Sequence, residues 1–395
     1  MNAGVRYGLD ADHWIEPDDP IWNEPLPTGS LTEASRPGDS PTYGELMLHV
    51  EEFVNKLFED DPDRYWKSLR RRKNRSKPEF GETDTIRLVK HGACYHVCRV
   101  SMPMLYGAGE LSVNVATNPA GRAIMEADFR LMARHSVRCP VSVVPKVFRY
   151  EEIRQGDGQT WAMFAAEWLT GFHEFHHSFD PKRNRLGVQI WDTDTEYRFL
   201  SSRQERSLYR RIAKVLTLLY DIRTGSEVHP WHHAAGDFVV RQDRRGLQVR
   251  LITIRGDTPL FNPVEGDDPE AMLTRLLFFL CNVSIRNRLD RIDGVGDLCW
   301  ADEMAVAATV EGFFEALCVH EQTEPFPGDM IKAFRGFARA LDPIRIYDIC
   351  DQIVGSYPPN ASEIEIIREH LVDHAGALYC ALNDFTSGGM SHAAK

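Results

Sequence analysis

No window of this chain approaches the ~18 uninterrupted apolar residues that a membrane span requires. Its start, Met-Asn-Ala-Gly-Val-Arg-Tyr-Gly-Leu-Asp, holds no apolar core of the length a secretory signal needs. These two absences lead to the expectation of a cytoplasmic protein that does not associate with membranes. Positive charge is not in excess either: a formal net charge of −12 repels a phosphate backbone and argues against general nucleic-acid binding. Cysteine is sparse, with eight in 395 residues, mostly in apolar contexts such as Cys281 in Leu-Leu-Phe-Phe-Leu-Cys. That usage reads as reduced core residues and not as a disulfide framework. Cys94 and Cys98 flank His96 at alternate strand positions, but three soft ligands on one strand rarely close a tetrahedral zinc site. No internal repeat of solenoid type is found.

What is present suffices for a core: 43% apolar and 10% aromatic residues make one large or two moderate domains. Residues 1–43 are spaced by Pro and Gly in Asp-Asp-Pro, Glu-Pro-Leu-Pro-Thr-Gly-Ser and Arg-Pro-Gly-Asp-Ser-Pro, which predicts an extended or disordered arm. Trp14, Ile15, Ile21 and Trp22 within it could engage a protein partner. Residues 44–83 read as a helical extension, with Leu46, Val50, Phe53, Val54 and Phe58 at helical spacing in a first helix over 44–59. A second helix over 61–73 opens on Asp-Pro-Asp. Residues 64–77 hold eight basic residues and no acid, a solvated helix end or a patch for an anionic partner.

The period then changes to two. Strands are predicted over 85–89, 95–102 and 110–116, a helix over 120–135, and strands over 143–150 and 161–168. From residue 201 the chain reads as mostly helical. Ser201 or Ser202 caps a helix, with Gln204 or Glu205 completing a capping box, and it runs through Leu208, Ile212, Val215, Leu216 and Leu219. A hairpin over 238–241 and 247–254 precedes helices near 268–288, 301–318, 329–341, 344–353 and 362–383.

Six of the fifteen histidines fall in two five-residue windows sharing the spacing His-x-x-His-His: His173, His176, His177 and His229, His232, His233. On a helix, His173 and His176 or His177 would share a face. The first window also satisfies His-Glu-x-x-His, although Gly171 and Pro181 leave barely two turns for such a helix. The second runs through Ala-Ala-Gly into Asp237-Phe-Val-Val, which places a carboxylate at a strand mouth. Further on, Arg286, Arg288, Asp290, Arg291 and Asp293 alternate in sign, a pattern of salt bridges or of an acceptor patch for an anionic small molecule.

This order of elements, over residues 84–320, resembles the aminoglycoside phosphotransferase and choline kinase branch of the protein-kinase-like fold. The resemblance implies a two-lobed α+β molecule: a small five-stranded antiparallel N-terminal lobe with one helix over 84–170, and a larger helical C-terminal lobe over 171–395. It implies phosphoryl transfer from ATP with Mg²⁺ to a small-molecule substrate. The family's loop reads His-Gly-Asp-x-x-x-x-Asn. Matching Gly236-Asp237 to its Gly-Asn puts His232 in the place of the catalytic Asp, as base, and Asp237 at the metal-binding Asn. Glu126 stands at the family's helix glutamate, Asn114 at or near its phosphate-binding Lys, and Glu167 in the hinge-like segment 166–171, so these three would contact the nucleotide.

Departures accompany the match. Thr253 falls where the metal-binding Asp belongs, with Asp243 and Asp257 the nearest acids, and the Gly-rich loop is reduced to His91-Gly92-Ala93. Three functions follow from the resemblance and its gaps. One is an atypical ATP-dependent phosphotransferase; another is a pseudokinase serving as a binding or regulatory module. The last is a metal-dependent enzyme holding Zn²⁺, Fe²⁺ or Mn²⁺ between His173, His177, His233, Asp237 and Asp257.

Overall fold

The computed structural model describes residues 4–9, 13–27, 40–60, 84–92, 94–104, 107–154, 158–192, 196–244, 246–261, 268–323 and 329–387. The chain is a mixed α+β protein that divides into two compact units, Met1–Arg138 with Val144–Thr170 and Cys139–Val143 with Gly171–Lys395. The expected second helix over 61–73 and the basic stretch over 64–77 lie outside the described residues.

The first unit is a sheet with a helix on each face. Its strands are β1 (Arg6–Leu9), β2 (His13–Ile15), β3 (Thr85–His91), β4 (His96–Met104), β5 (Gly107–Ala116), β6 (Val147–Arg154) and β7 (Thr160–Glu167). Alternate positions Ile86 and Leu88, Cys98 and Val100, and Leu111, Val113 and Val115 share one face, as a period of two dictates. Helix α1 (Tyr43–Asp60) buries Leu46, Met47, Val50, Phe53, Val54 and Leu57 against them. Helix α2 (Pro119–Arg138) covers part of the other face, where Met125 meets Ala162, Phe164 and Ala166.

Two expectations are corrected here. The sheet has seven strands in the order β2-β1-β3-β4-β5-β7-β6, and β1 runs parallel to β3, so it is neither five-stranded nor wholly antiparallel. The five predicted strands form a continuous antiparallel run within it; the other two, antiparallel to each other, come from the supposed arm. Within that arm Ile15, Trp22 and Leu26 are buried in the core, and the Tyr7 hydroxyl donates to Glu51 of α1 at 2.5 Å. Pro and Gly spacing predicted irregular backbone correctly around the short 3₁₀ turn Pro20–Asn23. It carried no information about the apolar residues between, which are taken up by this chain's own core.

The second unit opens with a three-stranded sheet, β8 (Phe175–Asp180), β9 (Arg185–Ile190) and β10 (Arg198–Phe199), in the order β10-β9-β8. Helix α3 (Ser202–Leu219) starts at the predicted capping box of Ser201 and Gln204. Then come β11 (Ser226–Val228), the hairpin β12 (Phe238–Asp243) and β13 (Gly246–Leu251), and β14 (Asp257–Pro259), which pairs with β11. Helix α4 (Pro269–Arg286), the pair β15 (Leu289–Arg291) and β16 (Leu298–Trp300), and helices α5 (Met304–Thr323), α6 (Met330–Arg339), α7 (Pro343–Gly355) and α8 (Ile364–Ser387) complete it. Asp268, Asp329 and Asp342 cap α4, α6 and α7 by accepting from backbone N–H groups of the first turn.

The histidines at 176 and 177 therefore lie on a strand, and the His-Glu-x-x-His reading falls with the helix it needs. The eight cysteines are free, but only Cys98, Cys281, Cys299 and Cys350 are buried, while Cys318 and Cys380 are exposed.

Helices α3 and α5 pack closely along one seam. Arg210 and Lys214 both reach Glu315 at 3.0 Å, and the buried His320 Nε2 donates to Thr217 O at 2.7 Å. Gly312 permits the approach, since a Cβ there would sit 1.9 Å from Arg210 O. Gly312→Ala is expected to destabilise the chain by about 1–3 kcal/mol because backbone must move. Gly336→Ala, in α6 with open space around it, is expected to stabilise by about 0.5–1 kcal/mol through helix propensity. Urea midpoints of both variants check the two signs.

Candidate functional site

The loop over 229–237 joins β11 to β12 in the second unit, and its own backbone fixes its ends. His229 N donates to Gly256 O at 3.1 Å, and Ile252 N donates to Asp237 O at 2.8 Å. Asp237 is fully buried. Its Oδ1 accepts from Arg255 Nη2 at 2.6 Å, and its Oδ2 accepts from Arg255 Nη1 at 2.7 Å and from His232 N at 2.9 Å. This is a bidentate guanidinium–carboxylate pair with an added backbone donor, the strongest form such a contact takes. Arg255 Nη1 also lies 3.3 Å from Pro230 O, so one side chain ties both ends of the loop.

His232 is held by Arg286, whose Nη2 donates to Nδ1 at 3.0 Å and to Trp231 O at 2.9 Å. Partial burial first, and the Arg286 cation second, push this imidazole below its ordinary pKa. A neutral imidazole has one accepting nitrogen, and here that nitrogen faces Arg286. His233 is buried against Phe175, Trp231 and Phe238, and burial lowers it to about 4.

A second group of polar side chains gathers around Asp290 of β15. The backbone N and the ring Nδ1 of His177 both donate to Asp290 Oδ2, at 3.0 and 2.8 Å, and the buried Tyr209 hydroxyl donates to His177 Nε2 at 2.8 Å. His176 lies between two carboxylates, with Nδ1 3.9 Å from Asp290 Oδ1 and Nε2 3.8 Å from Glu174 Oε2. Burial opposes its charge, but the two carboxylates outweigh burial and raise it to about 9. Gly236, at φ +68°, closes over Glu174, whose Cδ would be 2.8 Å from a Cβ at that position. His173 Nε2 stands 3.6 Å from Asp192 Oδ1.

The residues expected to ligate a metal are thus dispersed among different partners. His173 pairs with Asp192, His177 with Asp290 and Tyr209, and Asp237 with Arg255, while His233 packs among aromatics and Asp257 sits on β14. Among the described residues no three His, Cys, Asp or Glu side chains come together as a metal would require. Thr253 lies between β13 and β14, and Asp243 accepts from Gln248 at 2.6 Å. In the first unit, Asn114 is buried on β5 opposite Val97 and Phe164, and Glu126 pairs with Arg130 one turn along α2. Glu167 ends β7, where its Oε2 is 3.5 Å from Lys146 N.

Sequence reasoning did not single out Arg255 and Tyr209, gave Glu174 only as the glutamate of the His-Glu-x-x-His pattern, and placed Arg286 and Asp290 in a distal network. It also passed over Glu227 on β11, a carboxyl that burial pushes up to about 8 while Asn282 Nδ2 donates to it at 3.2 Å.

Asp237→Asn is expected to cost about 2 kcal/mol, below the 3–5 of a fully buried broken pair because Arg255 is 32% exposed. Chemical denaturation measures it. For His176 the folded pKa of about 9 exceeds the ordinary 6.5, so its stabilisation is full below pH 6.5 and is lost as pH rises through 9. The urea midpoint of the parent should therefore fall between pH 7 and 10 more steeply than that of His176→Gln.

No family model matches the sequence, and no curated protein matches it. Among solved structures the chain is similar to one described as WaaP in complex with acyl carrier protein, at 10% identity and a TM-score of 0.31, covering 69% of this chain and 88% of that one. It is also similar to a complex of Neurospora crassa PAN2 (WD40-CS1) with PAN3 (pseudokinase and C-term), at 9% identity and a TM-score of 0.28, covering 85% and 79%. Neither likeness, at such TM-scores, decides fold or function.

Proposed function

We propose that this chain is a protein of kinase-like fold whose loop does not transfer phosphoryl groups and which works as a binding or regulatory module. The fold half of this reading is supported within each unit separately. Strands β3, β4 and β5, helix α2, and strands β6 and β7 follow the order of the aminoglycoside phosphotransferase and choline kinase branch. Helix α3, the loop and the β12–β13 hairpin continue it.

The functional half rests on one observation, the occupation of both Asp237 oxygens by Arg255 and His232 N. Magnesium takes oxygen ligands in strict octahedral geometry, and a carboxylate already neutralised by a bidentate arginine must first lose that pair. The proposed base has the same difficulty. A general base needs a free lone pair near the acceptor, and Arg286 donates to that of His232. Threonine at 253 supplies no charge to make good either loss. A phosphotransferase using ATP and Mg²⁺ would need both contacts opened at once.

The test compares the parent with Asp237→Asn in Mg²⁺-ATP, reading thermal stability and ATP turnover. The expected outcome is no turnover above a protein-free blank and the same melting response in both proteins. Turnover by the parent that Asp237→Asn abolishes would sink the proposal and favour the phosphotransferase.

A further inference from the structure

The alternating run from Arg286 to Asp293 is not the salt-bridge network its charges suggest. Asp290 is engaged by His177, Arg291 donates to Gly296 O and Ser362 Oγ, and Arg286 serves the 229–237 loop. Arg288 is the residue left over. It is buried, at 7% exposure. Its Nε donates to Ala301 O at 2.8 Å, its Nη1 meets His374 Nδ1 at 3.3 Å, and its Cζ lies 4.6 Å from the centroid of the Trp300 ring. Among the described residues no carboxylate forms an ion pair with it; Asp302, Glu303 and Asp373 act on it only through space.

The groups around Arg288 add two N–H donors and one neutral acceptor, His374 Nδ1. His374 on α8 is fully buried, and since its Nδ1 receives the arginine proton, its ring proton sits on Nε2. That Nε2 has no hydrogen-bond partner, and neither does the buried Nε1 of Trp300 on β16. His374 meets Trp300 edge-on with ring centroids 5.7 Å apart, and His370, one turn earlier on α8, stacks on the same indole at 5.6 Å. A guanidinium and two N–H groups thus lie within one aromatic-walled cluster, where Ala301 O and His374 Nδ1 serve the guanidinium and neither ring N–H has a hydrogen-bond partner. Buried donors are normally paired, and a buried charge without a counter-charge is costly. What the cluster lacks is an acceptor carrying negative charge.

We propose that the Arg288–Trp300–His374 cluster of the second unit binds a small oxyanion, the phosphate or carboxylate group of a small molecule. This site is built from β15, β16 and α8, shares no residue with the 229–237 loop, and does not depend on whether that loop is silent. Arg288 supplies the charge, Trp300 and His370 the walls, and the free N–H groups of Trp300 and His374 the direction. A trapped water would satisfy an N–H group but would leave the guanidinium without a counter-charge in direct contact.

The experiment titrates the full chain with sodium phosphate and, separately, sodium acetate, against sodium chloride at matched ionic strength, following the melting temperature. A saturable rise with phosphate or acetate beyond that with chloride is expected, and the arm that saturates identifies the head group. Trp300→Phe keeps the stacked ring and removes its N–H, and His374→Phe removes the other donor. Each should weaken the half-saturating concentration about tenfold, as loss of one hydrogen bond to a charged group implies. The proposal is overturned if neither oxyanion exceeds chloride, or if the response survives unchanged in Trp300→Phe, the variant least able to disturb the fold.

Discussion

A carboxylate with no access to water must be matched where it lies, and the second unit is arranged around that demand at Asp237. The match comes from Arg255, eighteen residues later, and the β12–β13 hairpin delivers it. Pairing of Phe238 with Leu251 and the bond from Ile252 N to Asp237 O bring the chain back beside the loop it has just left. The same guanidinium reaches Pro230 O, so one ion pair fixes the loop's shape at both ends. Its chemistry follows: oxygens that hold a loop closed are not at the disposal of a metal.

The histidines obey a similar logic. They are engaged by different partners and do not gather at one centre. His177 is one link in a chain from Tyr209 to Asp290, His176 carries charge between two carboxylates, and His233 is stripped of water among aromatic rings. Arg288 is the converse case, a buried cation with which no carboxylate among the described residues forms an ion pair. The two sites differ in that one is chemically closed and the other is not.

Local signals carried much of the fold. The helices predicted near 268–288 and 344–353 are found at Pro269–Arg286 and Pro343–Gly355, because Asp-Pro caps and a 3.6-residue apolar period act within a few residues. Strand β8 was invisible to the same reasoning. Phe-His-His-Ser-Phe-Asp has no β-branched residue, and its histidines suit a helix face; it is extended because β9 returns to pair with it. The first residues failed for a different reason. Turn residues describe how a backbone bends, while Ile15 and Trp22 answer to an apolar sheet face assembled from strands sixty and more residues away.

The sequence alone determined where most helices begin and end, the alternation that builds the first unit's sheet, and the placement of Asp237 at the mouth of β12. These depend on neighbours along the chain. Whether Asp237 is a ligand or a closed ion pair, whether His232 has a free lone pair, and which cation of the 286–293 run has no ion pair among the described residues depend on contacts between residues distant in sequence. Only the tertiary structure decided them, since a side chain's charge and proton are set by what surrounds it in space.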